Sequence, residues 1–144
     1  MLKLSKKTEY GIIALKHMLN RAEESVSSAK EIATMYNIPN EIMAKILQVL
    51  VKNGILVSSQ GARGGYILAR SGREISLSEI IESIEGPLGI VDCVSETDCD
   101  CMQIDTCNIS EPLKVIQKQL KIFLSGISLA DINNEIEMQR VMWQ

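Results

Sequence analysis

The sequence predicts a mainly α chain with one small β-hairpin: a winged helix-turn-helix followed by a long C-terminal helix. Three observations lead there. Apolar residues recur at helical spacing over residues 5–53, in three short stretches separated by turn signals. The period then changes over residues 55–70, where two short β-type runs flank the glycine-rich QGARGG, residues 60–65. Beyond an irregular segment, Leu113, Ile116, Leu120, Phe123 and Ile127 keep the alternating 3-4 spacing of a heptad seam.

Each element has a local reason. In SKKTEYGIIALKHMLN (5–20), Ile12, Leu15 and Leu19 fall on one helical face. Ser28-x-x-Glu31 is a capping box that opens a short second helix with Ile32, Ala33 and Tyr36 inward. Ile38-Pro39-Asn40 reads as a turn. The third helix follows, with Met43, Ile46, Leu47 and Leu50 as its apolar face and Gly54 as a left-handed cap. ILVSS (55–59) and YILAR (66–70) read as the two strands of the wing. Ser76-x-x-Glu79 caps a helix through Ile80, Ile81 and Ile84, which stops at Gly86-Pro87. Residues 88–109 have no useful periodicity. From Ser110 the long helix is clear, with Lys114, Gln117, Lys118 and Lys121 turned away from its seam; Ser128 before Asp131 is a candidate start for another helix. The organisation that follows is a winged unit over 1–86, a cysteine-bearing loop over 87–109, and a dimerisation helix with a tail over 110–144.

Composition narrows the class. The chain has 144 residues, 46% of them hydrophobic but only 3% aromatic, so it is long enough for one aliphatic core. The apolar run Gly11–Leu15 is cut by Lys16 and His17, too short for a secretory signal, and no segment reaches the ~18 apolar residues of a membrane span. A cytoplasmic protein without membrane contact is expected. The net charge of −3 divides unevenly: residues 1–73 carry +6 and residues 74–144 carry −9. The first half could face a polyanion and the second could not. No glycine loop precedes a helix to cradle phosphate, and no acid–base pair accompanies a nucleophile, so an enzyme finds little support.

The element order suits double-stranded DNA. The first turn of a third, recognition helix meets base edges in the major groove, which makes Asn40, Glu41 and Lys45 the readers. Arg63, flanked by Gly61, Gly64 and Gly65 at the wing tip, is suited to a minor groove. Ser28, Lys30, Ser58, Ser59 and Gln60 are placed for phosphates. Winged helices also serve as protein-binding modules, and fold alone does not choose between the two. The seam of the long helix suggests a homodimer, which would set two recognition helices on a palindromic site.

All four cysteines lie within DCVSETDCDCMQIDTC (92–107), among five carboxylates: Asp92, Glu96, Asp98, Asp100 and Asp105. Negative surroundings disfavour a free reactive thiolate. Cytosolic disulfides are rare. The C-x5-C, C-x-C and C-x5-C spacings differ from the short knuckles of zinc sites. An iron–sulfur cluster needs thiolates, tolerates wide spacing and brings cationic iron to the carboxylates. Chemistry orders the readings as cluster, zinc, thiol switch. A winged-helix interaction module with structural zinc and no specific operator is the alternative function. His17 reads as a partly exposed helix histidine rather than a ligand.

Nearly end to end, the chain resembles the IscR-type iron–sulfur cluster-sensing transcriptional regulators. LSKKTEYGIIAL resembles their opening helix, GARGGYILAR their wing, ISLSEIIESIEGP the helix after it, and LSGISLADI their closing segment; the cysteine segment is also similar. The resemblance implies a homodimeric repressor or activator carrying a 2Fe–2S or 4Fe–4S cluster near the base of the dimerisation helix. Cys93, Cys101 and Cys107 best meet the family spacing, with Cys99 as a substitute middle ligand or the fourth. Some relatives place a histidine three residues past the last cysteine, where this chain has Ser110. Others resemble this chain in an acidic first-helix residue donated by the partner subunit; Glu9 matches it, and Glu9 and Cys99 stand equal as fourth ligand. Ala44 replaces a position often polar in relatives, which leaves the operator sequence open, as are the signal sensed and the cluster nuclearity.

Overall fold

The first three helices form because each start is capped and each inner face is apolar. In this computed structural model, which describes residues 3–22, 25–95, 100–133 and 139, they are α1 (Lys6–Leu19), α2 (Ala29–Met35) and α3 (Asn40–Lys52). Ser5 caps α1 by accepting the Thr8 N–H, and Ser28 caps α2 by accepting the Glu31 N–H at 3.1 Å. The tight turn between α2 and α3 runs through Asn37, whose φ of 53° is the left-handed conformation that asparagine tolerates, and Pro39 then leads into α3. Gly54, at φ 74°, ends α3 as the sequence suggests.

The wing is an antiparallel pair, β1 (Leu56–Ser59) and β2 (Gly65–Leu68), in register from Leu56 opposite Leu68 to Ser59 opposite Gly65. Its base is tied to the segment before α2: Tyr66 N–H donates to Ser27 C=O at 2.8 Å and Ser27 N–H returns to Tyr66 C=O at 3.0 Å. That approach requires Gly65, because a Cβ there would lie 2.7 Å from the Ser27 carbonyl oxygen.

Helix α4 (Leu77–Glu85) is capped by Ser76, whose hydroxyl accepts the Glu79 N–H at 3.2 Å, and it stops at Gly86 with φ 89°. A short α5 (Asp92–Ser95) and a single 3-10 turn (Ile104–Thr106) break up the next segment. The long helix, α6, spans Ser110–Ser125, and α7 spans Leu129–Asn133. Ser128 and Asp131 cap α7 reciprocally: the Ser128 hydroxyl donates to the Asp131 carboxylate at 2.7 Å and accepts the Asp131 N–H at 3.1 Å.

The core gathers Leu15, Ile32, Met43, Leu47, Leu50, Ile55, Ile75, Ile80 and Leu129, each fully buried. Leu129 belongs to it because the chain returns after α6. Leu77 N–H donates to Ile127 C=O and Leu129 N–H to Ile75 C=O, both at 2.8 Å, and Ala130 N–H donates to Gly72 C=O at 3.1 Å. Asn20 and Asn133 exchange side-chain amide bonds at 2.9 Å, pinning this strap to the end of α1.

Four expectations change. The inward face of α1 is Thr8, Gly11, Ala14, Leu15 and Met18, with Ile12 and Leu19 at its margin, because α4 crosses close enough for Ile84 to lie against Gly11. Tyr36 is 39% exposed instead of inward; its hydroxyl reaches His17. His17, expected to be partly exposed, is 9% exposed, because it lies beneath α2. The seam of α6 splits: Leu113 and Leu120 are half-buried against the body, Ile116 and Phe123 face outward, and Ile127 lies beyond the helix and is buried. Gln117 also turns inward and accepts the Ile90 N–H at 3.1 Å, and Lys121 pairs with Glu82 of α4 at 2.8 Å.

Candidate functional site

Two groups of residues stand apart from the core. The first is polar and follows the helix-turn-helix and wing. Asn40, Glu41 and Lys45 are exposed in the first turns of α3, whose opposite face is buried through Met43, Ile46, Leu47 and Leu50. Lys30 is exposed in the first turn of α2. The Ser28 hydroxyl accepts the Glu31 N–H as the α2 cap and still has its hydrogen to donate. Ser58 and Ser59 are exposed at the end of β1, and Gln60 and Arg63 are exposed in the turn that follows. Because the Ser27–Tyr66 bridge anchors β2, the wing is held beside the N-terminus of α2. Ion pairs brace this frame: Arg21 with Glu31 between the end of α1 and α2, and Arg70 with Glu79 between the wing and α4.

The second group is the cysteines. Cys93 lies in α5, Cys101 just before the 3-10 turn and Cys107 just after it; all three are free and half-buried. They line one cleft of about 960 Å³ with Asp92, Asp100, Gln103, Ile109, Ser110 and Leu113, at the N-terminal end of α6. The Cys101 thiol donates to the Gln103 side-chain oxygen at 3.5 Å. Lys114, turned away from the α6 seam as its spacing requires, is exposed and pairs with Glu111 at 2.5 Å. The Lys114 pKa is raised first by the hydrogen bond and charge of Glu111, and Cys93 adds in the same direction. A helical period of 3.6 places residue 114 one turn after Ser110. Cys99 lies outside the described residues. Among the described residues, no three His, Cys, Asp or Glu side chains are gathered around one point that could hold a metal ion. Three thiols on one cleft nonetheless match, as a donor set, the soft ligands an iron–sulfur cluster takes.

Glu9 lies in the first turn of α1, paired with Lys6 at 2.5 Å. Next to it, Thr8 is buried and donates its hydroxyl to Glu85 at the end of α4, while Ser5 N–H donates to the same carboxylate at 3.0 Å. Burial pushes the Glu85 pKa up, but the bonds from Thr8 and Ser5 outweigh it and hold the group below its ordinary value of 4.5. The end of α4 thus fixes the start of α1, and Gly86 opens the path to the cysteines. On that path Glu82 accepts the Leu88 N–H at 3.4 Å. Among the described residues no helix is long and apolar enough to cross a membrane.

Comparison with known proteins places this geometry. A model of the Rrf2 family, described as iron-dependent transcriptional regulators, matches residues 4–135. The HTH-type transcriptional regulator NsrR of Halalkalibacterium halodurans is 27% identical over 143 residues, covering 98% of this chain and 97% of that protein. Among solved structures, T. potens IscR superposes with a TM-score of 0.71 at 29% identity, covering 96% of this chain and 91% of its own. CymR, the global cysteine regulator of B. subtilis, superposes with a TM-score of 0.72 at 28% identity, covering 92% and 97%.

Proposed function

Because the chain belongs to the Rrf2 family of iron-dependent transcriptional regulators, we propose that it is a homodimer whose grip on a promoter operator changes with the occupancy of an iron–sulfur cluster. One observation carries the reading. Cys93, Cys101 and Cys107, separated by irregular chain, line a single cleft at the base of α6. When bound, a cluster supplies a redox-sensitive crosslink among these three points. Glu9 of the partner subunit or Cys99 completes the set; loss of colour on Glu9→Gln or on Cys99→Ser distinguishes them.

The chain's own residues then carry the signal. Gln117 and Glu82 hold the segment before Cys93 to α6 and α4. The strap after α6 joins that helix to the wing-side body. Ile109, Val115, Ile116, Ile122 and Phe123 are exposed on or beside α6, an apolar face suited to a second copy. Two-fold pairing through it sets the separation of two recognition helices, with Asn40, Glu41 and Lys45 in major grooves, Arg63 at a minor groove, and Ser28, Lys30 and Ser59 on phosphates. The similarity to CymR, a global cysteine regulator, supports a second reading, a regulator tied to cysteine.

The test is to purify the protein without oxygen, measure visible absorption, iron and sulfide, and titrate promoter DNA before and after stripping the cluster. The expected coupling is about 5- to 150-fold in affinity. Colourless protein containing zinc removes the cluster. Coloured protein with equal affinity in both forms removes the sensing.

A further inference from the structure

The chain has one histidine, and it is buried in the DNA-reading unit with half of its hydrogen-bonding capacity unused. His17 sits in the last turn of α1. Its Nδ1 is 3.1 Å from the Tyr36 hydroxyl, and the two rings meet edge to face with centroids 5.6 Å apart. Its Nε2 is buried without a hydrogen-bond partner, 3.7 Å from a Glu31 carboxylate oxygen. Arg21 holds that carboxylate from the end of α1, and its own Nε donates to Ser25 at 3.1 Å. A carboxylate facing Nε2 selects the tautomer with the proton there, so Nδ1 accepts from Tyr36.

Tyr36 stands at the hinge of the reading head. It caps the end of α2, with its N–H on Ile32 C=O at 3.0 Å. Asn37, at φ 53°, follows, then Ile38, whose N–H returns to Ala33 C=O at 2.9 Å, and then Pro39 at the entry to α3. A polar tether in a buried position contributes little net stability compared with an apolar side chain of similar volume, but it fixes orientation. The geometry points to His17 as a positioning residue for operator binding: through the Tyr36 hydroxyl it sets the turn that aims α3. The inference rests on DNA binding by this family and needs no cluster.

A fluorescein-labelled duplex, selected by the wild-type full chain from random sequence, is titrated with each variant. Tyr36→Phe removes one oxygen at a partly exposed site and retains the fold. His17→Leu removes the imidazole. Each weakens binding about three- to tenfold, the scale of one hydrogen bond, and the double variant is no weaker than the worse single. His17→Asn, whose side-chain oxygen can take the place of Nδ1, recovers most of the loss while melting no higher than His17→Leu. Unchanged binding in Tyr36→Phe overturns the inference. So do losses that multiply in the double variant, or an Asn variant no better than Leu. A loss in Tyr36→Phe with none in His17→Leu means the hydroxyl touches DNA directly, and it overturns the inference as well.

Discussion

Replacing Gly65 by alanine tests how the wing is held. The new Cβ would lie 2.7 Å from Ser27 O, 2.8 Å from Ser27 C and 3.1 Å from Ser28 N. All three are backbone atoms, so no side chain can swing aside. The chain has two responses. Separation of β2 from Ser27 gives up the bonds at 2.8 and 3.0 Å, about 0.5–1.5 kcal/mol each. Retention of both bonds compresses the contact, with an overpacking cost of about 1–3 kcal/mol. Either way the cost is about 2 kcal/mol, less about 0.5 kcal/mol from the reduced freedom of the unfolded chain. Urea denaturation should therefore show a midpoint lower by about 1 M with an unchanged slope. DNA affinity should fall as well, because Arg63 lies two residues before Gly65. Gly126→Ala is the control: its Cβ meets backbone oxygens only at 3.4 and 3.6 Å, at φ −79°, so no loss beyond about 0.5 kcal/mol is expected. A Gly65→Ala protein as stable as wild type would refute the claim that the Ser27 bridge positions the wing.

Three further outcomes are expected. Leu129→Ala should lose about 2–5 kcal/mol in the same denaturation assay, as a fully buried leucine does, although its position in the sequence suggests a tail. Glu85 has a depressed pKa, so its bonds to Thr8 and Ser5 contribute stability above the ordinary carboxylate value of 4.5 and lose it as pH falls through the lower folded value; the melting-temperature gap between wild type and Glu85→Gln should be full at pH 7 and shrink steadily below about pH 4.5. Arg63→Ala should weaken operator binding and reduce the slope of log affinity against log salt by about one; an unchanged slope would take the wing tip off the DNA.

Local chemistry was legible where one residue type answers one backbone need. Ser28 and Ser76 cap α2 and α4 as their Ser-x-x-Glu patterns require, and Gly54 and Gly86 end helices at positive φ. The inner face of α3 was readable because its four apolar residues admit one phase. The α6 seam was not, because apolar spacing does not say whether a stripe meets the same chain or another. Leu113 and Leu120 turned inward, Ile116 and Phe123 outward. The burial of His17 and Leu129 depends on contacts with residues distant in sequence, which no local pattern encodes. At the cysteines, thiol chemistry suggested a cluster; Cys93, Cys101 and Cys107 line one cleft but, among the described residues, do not converge on a point that could hold a metal ion.

The mutual amide pair of Asn20 and Asn133 closes a loop of 113 residues, and Leu129 fills a space bounded by helices synthesised far earlier. Leu129 is thus made after every helix it packs against, so the core shared by the first four helices is completed only by the last described helix of the chain.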